Sequence, residues 1–179
     1  MEKIVVPLFT QPNEYTCLPT CFKMLIDFLR ERFSDIPNLS IREIADIVRT
    51  DKDGTTLENI VNLNKTVFKT IPLEIVVTYQ TAKFEDIEKE LTNRFPVIIG
   101  YDLAAYQEEA GKHSFHAAVI THVDKELLEV VMNDPIYGER SMKMGRFMDV
   151  WEAAERVFIK VKPKVQLKID AFEGEKNDS

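Results

Sequence analysis

Cys17 stands where a thiol could act as a nucleophile. It follows Thr16, which can cap a helix, and Pro19 is tolerated in the first turn of such a helix. The N–H groups and the dipole at a helix N-terminus favour negative charge, so a thiolate is stabilised there. Gln11, six residues earlier, could donate its side-chain amide to an oxyanion forming beside Cys17. The position alone also fits a buried, unreactive cysteine.

A nucleophilic thiolate usually works with a histidine, and the chain has three. His116 lies in the first strand of a predicted hairpin that turns at Asp124-Lys125, and this register places it opposite Asn133. One additional turn residue would place it opposite Asp134. Directly opposed residues share a face of a sheet, so either partner could orient the imidazole. His116 is therefore the predicted base.

The two other histidines are weaker candidates. The same register places His122 beside the turn, opposite Leu127, where no side chain would orient it. His113 falls in the loop that precedes the hairpin. Both are predicted to be surface residues.

Several short segments occur in an order that is far more specific than any one of them. In chain order they are residues 11–21 (QPNEYTCLPTC), Asp53-Gly54-Thr55-Thr56, Pro96-Val97-Ile98, His116-Ala117-Ala118-Val119-Ile120, Asn133-Asp134-Pro135, and Phe147 with Trp151. They cover nearly the whole chain to about Val161. In this set the sequence resembles the bacteriocin-processing (double-glycine-leader) cysteine peptidase family of the papain-like superfamily.

The resemblance implies a papain-like fold and a peptide or peptide-like substrate. It implies that Cys17 is the nucleophile, His116 the general base and acid, Asp134 the orienting residue and Gln11 the oxyanion donor. Leu18 stands where the family usually has glycine, so the cleft beside the nucleophile is expected to differ. Family members are often domains of membrane exporters with an ATPase. This sequence has no phosphate-loop motif and no membrane span, which predicts a stand-alone member.

The elements that would position these residues are helices in the first half and strands in the second. Capping and apolar periodicity predict a helix from Cys17 and a second helix after the capping box Ser40-Ile41-Arg42-Glu43. A third is predicted after Thr55-Thr56-Leu57-Glu58. The later strands include Phe95 to Tyr101 and the hairpin strands. This order predicts an α+β domain with N-terminal helices packed on a C-terminal antiparallel sheet.

Length and composition limit the remaining possibilities. The 179 residues fit a single papain-like domain over 1–165, with a C-terminal extension over 166–179 whose polar end is predicted to be flexible. A net charge of −7 disfavours nucleic acid as a partner. Two cysteines and the absence of a secretory signal predict a cytoplasmic protein. No cofactor or metal is predicted, and the oligomeric state is left open.

Three alternatives to a peptidase remain at this stage. Cys17, Cys21, His113 and His116 are zinc-competent ligands and could form a structural metal site. The chain could instead be a peptidase-like domain that binds a peptide without cutting it. The same triad could also serve an acyltransferase or an amidase, because these enzymes differ in the acceptor that takes the acyl group.

Overall fold

The computed structural model describes residues 2–164, so the predicted extension over 166–179 lies outside the described residues. In this part of the chain, six strands form one antiparallel sheet in the order β1-β6-β2-β3-β4-β5. The strands are β1 Leu73–Thr78, β2 Val97–Asp102, β3 Phe115–Asp124, β4 Glu129–Asp134, β5 Gly138–Lys143 and β6 Phe158–Pro163. The centre of the sheet is the most buried part, because β2 is buried along its whole length.

Within residues 2–164, six α-helices accompany the sheet. They are α1 Cys17–Arg30, α2 Ile41–Ile47, α3 Val61–Lys65, α4 Phe84–Thr92, α5 Leu103–Tyr106 and α6 Met144–Ala153. Helix α1 packs against β3, and α6 packs against β2. The buried apolar side chains of the helices and the sheet form one continuous core. The predicted α+β architecture is therefore confirmed.

The helix starts follow the capping signals only in part. Ser40 forms the predicted capping box with Glu43 at the start of α2. Thr56 makes no side-chain cap, and its segment begins as a 3-10 turn over Leu57–Ile60 that continues into α3. Thr16 precedes α1 as predicted, but its hydroxyl donates to the carbonyl of Asn13 and does not cap the helix.

The β3–β4 hairpin has a longer turn than predicted. Asp124 pairs with Glu129, so the turn spans residues 125–128. A β-bulge between Ile120 and His122 shifts the register once more further along β3. A bulge inserts one extra residue into one strand, and the sequence pattern does not mark its position.

As a result, Asn133 pairs with Val119 rather than with His116. The prediction that His116 lies directly opposite Asn133 or Asp134 is wrong. Continuing the observed register places Asp134 level with Ala118, two residues along β3 from His116 and on the same face. Diagonal neighbours on one face of a sheet are within reach of long or aromatic side chains. The fold therefore brings His116 and Asp134 together by a different pairing.

Candidate active site

Cys17 is the first residue of α1, with its side chain next to the sheet. The residue is 8% exposed, so the sulfur is shielded from bulk water but open to a cleft that Cys17 lines. No side chain caps α1, and Pro19 has no N–H of its own. The N–H groups of the first turn are therefore free of any side-chain cap at the point where a developing oxyanion would form.

His116 is held between Asp134 and Cys17. Its Nε2 lies 3.0 Å from Asp134 Oδ1, and the Cys17 thiol is close enough to the ring to raise the pKa of His116. Because Nε2 is engaged by the carboxylate, Nδ1 is the ring nitrogen left to face sulfur. Burial lowers the pKa of His116, but the hydrogen bonds and charges of Asp134 and Cys17 outweigh it and raise the pKa to about 9. The imidazole therefore favours its protonated form beside the thiol.

The Asp134 carboxylate is buried and saturated with donors. Oδ1 accepts the N–H groups of Ile136 at 2.8 Å and Tyr137 at 3.1 Å, as well as the contact with His116. Burial raises the pKa of Asp134, but the hydrogen bond and charge of His116 and the hydroxyl of Tyr101 bring it down to about 2. The carboxylate is therefore ionised and fixed in orientation across the ordinary pH range.

Gln11 lies beside the loop that follows Asp134. Its backbone N–H donates to the carbonyl of Pro135 at 3.0 Å, and its side-chain Nε2 donates to the carbonyl of Asn13 at 2.7 Å. One Nε2 proton is left over, while Oε1 is buried without a partner among residues 2–164. Most buried polar atoms are paired, so an unpaired amide oxygen at this position is unusual.

The other candidate ligands and bases lie elsewhere. His113 is on the surface, as predicted, where its Nδ1 contacts Asp102 Oδ2 at 2.7 Å. His122 is half-buried and pairs with Val131, so its predicted position opposite Leu127 at the surface is wrong.

Asn133, the other residue considered as the partner of His116, donates its amide to the carbonyl of Val6 at 3.0 Å. It is therefore occupied away from the imidazole. Cys21 is fully buried in the core, and burial raises the pKa of its thiol, with the nearby Cys17 adding to the effect. Within residues 2–164, no three His, Cys, Asp or Glu side chains are grouped as a metal site.

A cleft of about 440 Å³ opens in front of Cys17. Its lining is mixed polar and apolar and comes from the loop before α1, the turn around Gly54 and the start of β3. The lining residues are Glu14, Tyr15, Cys17, Leu18, Lys52, Asp53, Gly54, Thr55, Ser114 and Phe115. Leu18 lines this cleft although it is only 2% exposed, so the residue that replaces the expected glycine forms part of its wall.

Phe115 shapes one wall of this cleft. Side chains alternate along a strand, so its ring lies on the face of the sheet opposite to His116. There the ring covers Gly100 so closely that a Cβ at Gly100 would overlap it. Glycine at this position leaves the space that the ring occupies beside β2.

Two residues at the site were missed by the sequence patterns. The hydroxyl of Tyr101 donates to Asp134 Oδ2 at 2.7 Å, and Arg140 Nη2 donates to the same oxygen at 3.1 Å. Tyr101 pairs directly with His116 across β2 and β3, so a correct pairing of the predicted strands would have found it. Arg140 lies in β5, a polar edge strand with no apolar alternation to reveal it.

An antiparallel sheet with a helix whose first residue is a cysteine, facing a histidine on the sheet, is the arrangement of a papain-like cysteine-type peptidase. The chain belongs to the Peptidase_C39 like family, which matches residues 3–159. No curated protein sequence matches the chain. Within residues 2–164, no helix combines the length and the apolar character that crossing a bilayer requires.

Solved structures agree with the fold. A C39-like peptidase from Bacillus anthracis is similar with a TM-score of 0.64 and 15% identity, over 92% of this chain and 99% of that one. The double glycine motif protease of an AMS/PCAT transporter, solved with its leader peptide, has a TM-score of 0.61 and 17% identity, over 90% and 94%. The peptidase domain of Streptococcus ComA, a bi-functional ABC transporter of a quorum sensing pathway, has a TM-score of 0.60 and 21% identity, over 88% and 98%.

Proposed function

We propose that this chain hydrolyses a peptide or amide bond through the triad Cys17, His116 and Asp134, by way of an acyl-thioester. The observation that carries the proposal is the buried His116 ring, which lies 3.0 Å from Asp134 Oδ1 and has its pKa raised by both Asp134 and Cys17. A cysteine at a helix N-terminus beside a cationic imidazole is activated as a thiolate.

In the first half of the reaction, the Cys17 thiolate attacks the carbonyl carbon of the substrate. The uncapped N–H groups at the start of α1, together with the remaining Nε2 proton of Gln11, stabilise the oxyanion. His116 then gives its proton from Nδ1 to the leaving amine, the C–N bond breaks, and the acyl group stays on sulfur.

In the second half, His116 accepts a proton from a water molecule that attacks the thioester. The C–S bond breaks, the acid product leaves, and the thiolate and the imidazolium are restored. Asp134 keeps its charge throughout and fixes the imidazole so that Nδ1 faces sulfur. Its saturated hydrogen bonding suits this fixed role.

A peptide is the proposed substrate because the cleft in front of Cys17 is open and mixed in character, and because a similar structure was solved with a leader peptide. The cleft carries Glu14, Lys52 and Asp53 beside apolar walls from Leu18 and Phe115. Charged and apolar groups of this kind can select peptide side chains of both kinds. The cytoplasmic location expected from the sequence stays a prediction.

The test is cleavage of a mixture of synthetic peptides by wild type and by Cys17→Ala, with new termini identified by mass spectrometry. Wild type is expected to generate new termini and Cys17→Ala none, while both show the same circular dichroism. Peptides that bind and are never cut would support a binding domain instead. Acyl products captured by an added amine in preference to water would assign acyl transfer.

A further inference from the structure

Arg140 is a positive charge placed against the far side of the candidate triad. Its Nη2 donates to Asp134 Oδ2 at 3.1 Å and also to the Tyr101 hydroxyl at 2.6 Å. The strand register explains the approach: Arg140 pairs with Met132, which pairs in turn with Ile120 on the face that also carries His116. The edge strand β5 therefore directs this side chain towards the site.

Aromatic rings keep the guanidinium in place. Arg140 Cζ lies 4.4 Å from the ring centre of Tyr106, 4.6 Å from that of Tyr137 and 5.5 Å from that of Tyr101. Gln107 Nε2 donates to the Tyr137 hydroxyl at 2.9 Å, which steadies that ring. Cation–π contacts of this kind strengthen as a site becomes desolvated. The Arg140 side chain is only 14% exposed.

The buried position of Arg140 is not one that favours the stability of the fold. Arg140 Nε is buried and has no partner among residues 2–164. A buried donor left unpaired costs free energy, and a buried ion pair is often no more stable than apolar residues of the same volume. A role at the candidate site accounts for a buried charge that stability alone does not require.

Orientation of Asp134 does not depend on Arg140 either. Oδ1 is held by His116 and by two backbone N–H groups, and Oδ2 is held by Tyr101. Without Arg140, four hydrogen-bond donors to Asp134 would remain. What Arg140 adds is a second positive charge at the carboxylate, beside that of the His116 imidazolium.

We propose that Arg140 acts through Asp134 as a charge-balancing residue, so that His116 can pass its proton to the leaving amine. This inference rests on the proposed function, in which His116 must bind a proton and also release it. Without Arg140, the full negative charge of the buried carboxylate would hold the imidazolium too firmly, and a general acid is most effective when it gives its proton up readily. Arg140 offsets part of that carboxylate charge without touching the imidazole.

Few charged groups face His116, so the effect of Arg140 can be isolated. Helix α1 presents Cys17, β2 presents the Tyr101 ring edge-on at 5.2 Å, β4 presents Asp134, and β5 presents Arg140 beyond it. Burial and the Asp134 charge raise the pKa of Tyr101, so that its hydroxyl stays neutral. Arg140 is thus a second cation, besides His116 itself, in direct contact with the Asp134 carboxylate.

The experiment is an NMR titration of the His116 ring in wild type, Arg140→Gln and Arg140→Lys, with the signal assigned from a His116→Gln sample. Arg140 disfavours the imidazolium, so its neutral replacement is expected to raise the titration midpoint by about one pH unit or more. Arg140→Lys keeps the charge and is expected to stay near the wild-type midpoint. Arg156→Gln, which removes an arginine paired with Glu152 on the surface, is the matched control.

An unchanged midpoint in a folded Arg140→Gln protein overturns the proposal. Should Arg140→Gln fail to fold, Arg140→Met fills the same space with a neutral chain and must show the same upward movement. The titration needs no substrate, so it tests this inference even if no peptide is cleaved. Once a cleaved peptide is known, the alkaline limb of the kcat profile is expected to move upward in Arg140→Gln with KM unchanged.

Discussion

Replacing His116 with Gln is expected to lower kcat/KM by about 10²- to 10⁴-fold. Glutamine can still bond to Asp134, but it neither accepts a proton from the Cys17 thiol nor delivers one to the leaving amine. The residue is 2% exposed and glutamine is close in size, so the fold should persist. Steady-state kinetics on a cleaved peptide measures the effect.

His122→Gln is the matched control for that experiment. His122 lies on the same strand, beyond the bulge and away from Cys17. Its replacement by glutamine is the same change of side chain. It is expected to keep wild-type kinetics. Equal loss in both variants, or full activity in His116→Gln, would remove His116 from the mechanism.

Asp134→Asn is expected to lower kcat by roughly 10²-fold or more, although the two side chains have the same shape. If the asparagine oxygen faces His116, its NH₂ group is directed at Tyr101 and Arg140, and Arg140 can only donate. If the amide flips, the NH₂ group faces His116 instead. In both orientations the asparagine NH₂ group faces another hydrogen-bond donor. The buried Arg140 charge also loses its carboxylate partner.

The same substitution should lower the free energy of unfolding by about 3 kcal/mol, because it breaks a buried ion pair while one charge stays in place. Denaturant unfolding and peptide kinetics measure the two effects on one sample. Asn133→Ala is the comparison: it removes a buried hydrogen bond to Val6 and is expected to lower stability while kcat is retained. A loss of kcat in Asn133→Ala with normal rates in Asp134→Asn would transfer the orienting role to Asn133.

The start of α1 was accessible from the sequence for a simple reason. The start of a helix is indicated by neighbouring residues, here Thr16, Cys17 and Pro19. The buried strands β2 and β3 are indicated by apolar runs. These patterns need no knowledge of distant contacts. They were enough to predict the fold class, whereas the choice of His116 among three histidines used a hairpin register that the structure corrects.

The hairpin register was not accessible, because it depends on the length of one turn and on one bulge. A four-residue turn after Asp124 and the bulge before His122 move Asn133 opposite Val119. Register is set by how many residues each turn and bulge consumes, and several counts fit the same apolar pattern. The choice of Asp134 over Asn133 came from the family resemblance, and the observed contact with His116 agrees with it.

Arg140 was inaccessible for a different reason. Only Met142 is buried in β5, so this edge strand carries no alternation that predicts a strand. Polar and charged residues are common on edge strands because they discourage pairing with another chain. Helix α5, with four residues, is too short to show a period. The contact between Tyr106 on α5 and Arg140 on β5 therefore arises only in the tertiary structure, and no local sequence pattern predicts it.

The central claim is that Cys17 and His116 form a thiolate–imidazolium pair, and the rate of iodoacetamide labelling at Cys17 as a function of pH tests it most directly. His116 has its pKa raised to about 9, so the imidazolium that can stabilise a Cys17 thiolate should persist below that pH and be lost as the pH rises through it. Wild type is therefore predicted to label Cys17 rapidly already at about pH 6. His116→Gln should label slowly at that pH, because its thiol has no imidazolium partner. Identical profiles for the two proteins, with slow labelling at pH 6, would contradict the account.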